Sequence, residues 1–236
     1  MIWGILGAMQ EEIEFIRGQM EQVRETEISG SIFYSGRYRD KEVVLVCCGI
    51  GKVNAAVCTQ TLIREMKAGC IINTGVAGNL SGKLKVLDMV IANAVAYHDV
   101  TPGVLGDNFP YREEFATDTE LTFLALQASE ALEPGEHPFR CACGKVATGD
   151  QFISDSAVKE DISRRYPYPY SAVDMESAAI GHTAYINKTP FLIIRSLSDD
   201  ANDEAEMSFD TFVKIAADNS AKLVLKMLEL GNPDAK

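Results

Sequence analysis

Apolar positions in this chain switch repeatedly between two spacings. Residues 2–6 form a short β-forming run, and from Gln10 onward Ile13, Ile16 and Met20 recur on one helical face. A strand followed by a helix is predicted. Residues 31–38 and 42–48 read as two strands paired through a polar turn at 39–41, and residues 53–66 return to helical periodicity. Apolar runs at 70–74 and 86–93 predict further buried strands. Residues 99–118 follow neither period and carry Pro102, Gly103, Gly106 and Pro110. They are expected to form a lid or pocket wall, because irregular stretches of that length in compact domains are usually functional.

A helix over 119–130 gathers Leu121, Leu124 and Ala128 on one side, and a strand over 141–148 runs into a Gly149-Asp150 turn. Helices from Ser156 and over 175–185, a buried strand over 191–197 and a long helix over 209–230 complete the pattern, with 231–236 as a frayed tail. Strands alternate with helices without a break in composition. That order predicts a single α/β domain over 1–230, a three-layer sandwich with a twisted mixed central β-sheet flanked by helices.

Composition narrows the function classes. The chain has 236 residues, 47% hydrophobic and 24% charged, too apolar for a mainly disordered chain. Its net charge of -12 repels phosphate backbones and anionic lipid surfaces, so neither nucleic acid nor a membrane is an expected partner. No apolar run approaches the length needed to cross a bilayer core of about 30 Å, and no basic leader precedes Met9. Cys47, Cys48, Cys58, Cys70, Cys141 and Cys143 form no CxxC pair and read as reduced thiols of a cytoplasmic protein. His98, His137 and His182 share no ligand spacing, so no metal is expected.

Several short blocks carry candidate chemistry. Gly49-Ile50-Gly51-Lys52 follows a strand but lacks the first glycine of a P-loop and has Val53 at its Ser/Thr position, so it reads as a tight strand-to-helix turn. A second glycine turn is expected across 73–79, again at a strand end. Asp199 closes an apolar strand, where desolvation would raise its pKa; a turn or N-cap aspartate is the structural alternative. Glu176, between an apolar strand and a helix of small residues, points inward or serves as a cap. By itself Glu12 reads as part of a solvated first helical turn, and Phe152 as core or as a platform for a flat base.

Taken together, GAMQEE at Gly7, GIGKVNAA at Gly49, NTGVAGNL at Asn73, GDQFIS at Gly149, VDMES at Val173 and RSLSDD at Arg195 resemble, in order and spacing, the 5'-methylthioadenosine/S-adenosylhomocysteine nucleosidases. The resemblance runs from the first strand to the last helix and implies a nucleoside phosphorylase-like fold. It implies that Asp199 protonates the purine at N7 with Ser198 orienting it, that Glu12 deprotonates the attacking water, and that Glu176 binds the ribose hydroxyls. It places Phe152 against adenine, Ile153 at the purine edge, Met175 at the ribose face, and Met9, Ile50 and Phe209 along an apolar wall suited to a 5' thioalkyl group. No cofactor is implied, and the implied partners are a small adenine nucleoside and a second copy of the chain in a homodimer.

Two departures bear on substrate choice. Val76 stands where many such enzymes place a serine near the ribose, and residues 97–105 are shorter than the usual loop. Preference among methylthioadenosine, S-adenosylhomocysteine, 5'-deoxyadenosine and an aminodeoxyfutalosine-type nucleoside stays open. Phosphorolysis is the nearest rival, but it needs a cationic cradle for phosphate, and neither glycine block contains arginine. Arg195 reads as a strand residue of unknown partner. A non-catalytic nucleoside binder would have no use for both Glu12 and Asp199.

Overall fold

A computed structural model describes residues 1–133, 138–165, 170–202 and 204–231. His137 and the tail beyond Gly231 lie outside the described residues. Ten strands form one mixed sheet. In its first half β1 (Ile2–Gly7) lies between parallel β4 (Lys41–Cys47) and β5 (Ala68–Asn79), with β3 (Ser31–Tyr38) and β2 (Glu21–Ile28) added antiparallel outside β4.

On its far side β5 pairs parallel with β10 (Phe191–Asp199) and antiparallel with β9 (Ala172–Asp174). Pairing continues from β10 to β6 (Met89–Tyr97), from β6 to β8 (Cys141–Thr148), and from β8 to β9, so five strands return to β5 and close a ring. The sheet is therefore mixed, as expected, and also partly closed on itself. Short β7 (Glu114–Ala116) hangs on β6.

Helices cover both faces of the open half. Trp3, Ile5, Val43, Leu45 and Ile72 face α1 (Gln10–Gln19), α4 (Thr119–Glu130) and α7 (Ala205–Leu230). Their alternate neighbours Leu6, Val44, Val46 and Ile71 face α2 (Lys52–Arg64) and α6 (Ser177–Asn187). With apolar layers on either side, successive residues of a strand are all buried, which is why these strands read as unbroken apolar runs.

Three expectations change. The strand β2, Glu21–Ile28, was not predicted because it is an exposed edge with charged residues in place of period-two alternation. Residues 73–79 are no turn; β5 runs straight through them. Glycines sit there because an added Cβ at Gly75 would overlap Arg195 and Glu12, and one at Gly78 would come within 3.0 Å of Asp199. Segment 99–118 is not irregular throughout: it holds the one-turn α3 (Val104–Asp107) and β7, and within a single chain none of its residues lines the cavity described next. The remaining helix, α5 (Ser156–Arg165), begins where expected.

Candidate active site

Strand ends and the connections following them meet around one cavity. The β1–α1 junction supplies Met9 and Glu12; the β4–α2 turn, Ile50; and β5, Val76. Phe152 and Ile153 follow β8, Met175 and Glu176 lie between β9 and α6, Ser198 and Asp199 end β10, and Phe209 is in α7. All eleven side chains singled out from the sequence line this one cavity.

Glu12 is not a solvated first-turn acid. It is 1% exposed, because its carboxylate folds back to accept hydrogen bonds from the N–H groups of Ala8 (2.5 Å) and Met9 (3.1 Å) with one oxygen, and of Val76 (2.9 Å) with the other. Reaching back to the start of its own helix satisfies orphan N–H groups there, as a capping glutamate does. Burial pushes its pKa above the ordinary glutamate value, against the pull of Arg195 and the three backbone donors.

Asp199 is likewise buried. Its carboxylate accepts from Ser198 Oγ (2.8 Å) and from the N–H of Ala201 (2.8 Å), yet desolvation prevails and its pKa is raised. Glu176 accepts from the N–H of Gly51 (2.9 Å) at the start of α2 and from Arg195 Nη2 (3.3 Å). Gly49 (φ 84°) and Gly51 (φ 99°) hold that turn in conformations open mainly to glycine. Burial pushes Glu176 up to about 7 despite Arg195 beside it.

Phe152 is 41% exposed and is not core. Its ring meets Phe209 edge to face at 5.7 Å, and the pair flanks the mouth of the cavity. Val76 reaches Glu12 through its main chain, so that contact is independent of the side chain; the valine methyls pack with Met9, Phe209 and Val213.

The sequence reading missed the group at the centre. Arg195 is fully buried, donates to Asp174 from Nε (2.7 Å), and lies 2.7 Å from Asp174, 3.3 Å from Glu176 and 3.9 Å from Glu12 as ion pairs. Its signal was available: an arginine inside the run Phe191–Asp199, whose every residue is buried, requires buried partners. Among the described residues no His, Cys, Asp and Glu cluster could hold a metal ion.

The family model of the phosphorylase superfamily matches residues 3–229. The chain belongs to the phosphorylase superfamily. Within that superfamily it is 40% identical over 230 residues to a 5'-methylthioadenosine/S-adenosylhomocysteine nucleosidase of Halalkalibacterium halodurans, covering 95% of this chain and 96% of the relative. Among solved structures, the nucleosidase of the same kind from Neisseria meningitidis in complex with methylthio-immucillin-A superposes with a TM-score of 0.90 at 40% identity, covering 97% of this chain and 98% of that one. A futalosine hydrolase of Helicobacter pylori superposes with a TM-score of 0.86 at 31% identity, covering 97% of each chain.

Proposed function

We propose that this protein hydrolyses the N-glycosidic bond of 5'-substituted adenosines, 5'-methylthioadenosine and S-adenosylhomocysteine, to adenine and the 5'-substituted ribose. The observation that carries this reading is the convergence of Glu12, from the first helix, and Asp199, from the end of the last strand, on one cavity. Cleavage places negative charge on the departing base and positive charge on the ribosyl carbon. Asp199, with a raised pKa, holds a proton for N7 of the base, and Ser198 fixes the orientation of its carboxyl. Glu12, pinned by three backbone donors, takes the proton of the attacking water. Raised basicity suits it to that task.

Glu176 receives the ribose hydroxyls, Met175 covers the sugar face, Phe152 stacks on adenine, and the main chain of Ile153 reads the purine edge. Met9, Ile50, Val76 and Phe209 form an apolar wall for the 5' thioalkyl group, whose transfer from water contributes about 25 cal/mol per Å² buried. Water, not phosphate, is the nucleophile in this reading. No Lys or Arg is among the described residues lining the cavity, and Arg195 behind it is already faced by three carboxylates.

The test is adenine release from a panel of 5'-substituted adenosines, futalosine-type nucleosides included, in phosphate-free buffer after chelation. Release without phosphate supports hydrolysis; a strict phosphate requirement overturns it. Exposed Val53 and Val57 of α2 and Ile186 of α6, on two helices packed against each other, present apolar side chains that a second copy would cover, which supports a homodimer. The six free cysteines, three of them buried, support a reducing, cytoplasmic location.

A further inference from the structure

Deepening that reading and resting on it, we propose that Asp174 is a positioning residue for the reaction, which aims Arg195 and partly neutralises it so that the guanidinium serves Glu176 and Glu12 together.

Asp174 ends β9 and is 7% exposed. Its Oδ1 accepts from Thr148 Oγ1 (2.6 Å) and from the N–H of Ser177 (3.2 Å); its Oδ2 accepts from Ser177 Oγ and from Arg195 Nε (2.7 Å). Donors from β8, α6 and β10 thus occupy both oxygens, leaving neither for a ligand. Thr148 is anchored in turn, because Oγ1 accepts from the N–H of Ala178 at 2.9 Å.

Geometry gives Asp174 control of the guanidinium. It holds Nε and Nη2 together, each 2.7 Å from Oδ2, whereas Glu176 meets Nη2 alone at 3.3 Å and Glu12 faces Nη1 at 3.9 Å without a hydrogen bond. Two nitrogens held on one carboxylate oxygen constrain the guanidinium more than a contact through a single nitrogen does. The charged and titratable groups facing this arginine and its partners are Glu12 on α1, Asp174 on β9, Glu176 before α6, and the Cys47 and Cys48 thiols at the end of β4. Burial pushes both thiols up, so they stay neutral. Three carboxylates then share one cation, and the Asp174 charge favours the protonated form of Glu176.

The experiment is the pH profile of kcat/KM for adenine release by Asp174→Asn and Asp174→Glu, with Thr148→Val as a third variant. In Asp174→Asn either amide orientation sets NH2 against protein donors, and one negative charge is lost. The expected result is a loss of about 10²-fold in kcat, with the acidic limb moved down by about one pH unit as the remaining carboxylates ionise more readily. Asp174→Glu keeps the charge and should hold the limb at its wild-type position. Thr148→Val unties the anchor while keeping the charge, and should lower kcat without moving the limb.

An unmoved acidic limb in a folded Asp174→Asn overturns the proposal. If that variant does not fold, wild-type kcat in Thr148→Val, or a displaced limb in Asp174→Glu, overturns it instead. Wild-type protein that releases no adenine without phosphate fails the hydrolase reading itself, a separate outcome seen before any variant is assayed.

Discussion

Asp199 and Glu12 face the same cavity with pKa values moved upward by the same cause, burial, but they meet different donors. Asp199→Asn keeps the shape and removes the proton, so turnover should fall by about 10²-fold or more, read by adenine release at saturating substrate. Glu12→Gln should retain nucleoside binding by calorimetry while suppressing hydrolysis to a similar degree. Arg195 gives a stability prediction. Replacing it by Met leaves buried carboxylates without their countercharge and should cost about 3–5 kcal/mol in chemical denaturation.

Glu176 gives a pH prediction. Its folded pKa, about 7, lies above its ordinary 4.5, so between those values the folded chain binds more protons than the unfolded one. Its contribution to stability is therefore full below about 4.5 and is lost as pH rises through about 7. Wild-type Tm should fall across this window more than that of Glu176→Gln, measured by calorimetry at pH 5 and 7.5.

Among the elements, β5 carries the heaviest geometric demand. A Cβ added at Gly75 would overlap both Arg195 and Glu12, so Gly75→Ala should displace both, abolishing most activity while leaving the far-ultraviolet circular dichroism of the fold intact. This strand also shows where sequence reading stops. Residues 70–74 are legible as a buried strand, but the glycines beyond them look like a turn, because the side chains that need the space come from α1 and β10. Likewise Ile13 and Ile16 betray the buried face of α1 by their spacing, while Glu12 beside them reads as a solvated acid; the N–H of Val76 that draws it inward is remote in sequence. Family resemblance brought out Glu12, whereas local pattern could not. Arg195 and Asp174 were within reach of a simpler rule, that a charge inside an apolar strand implies a buried partner.

At the scale of the whole molecule, two surfaces matter. The face of α2 and α6 leaves Val53 and Val57 exposed at 74% and 43% in one copy. On the proposal that a second copy covers that face, light scattering should find Val57→Glu monomeric under conditions where the wild type is a dimer. The inner surface is the ring of strands through β5, which holds β1 on one side and β9 and β10 on the other. Glu12 enters with the first helix and Asp199 only with the last strand, so a chain emerging from the ribosome acquires its proposed base early and its proposed acid late. On the proposed assignment, a chain that ends before β10 has no acid to protonate the base and should release no adenine.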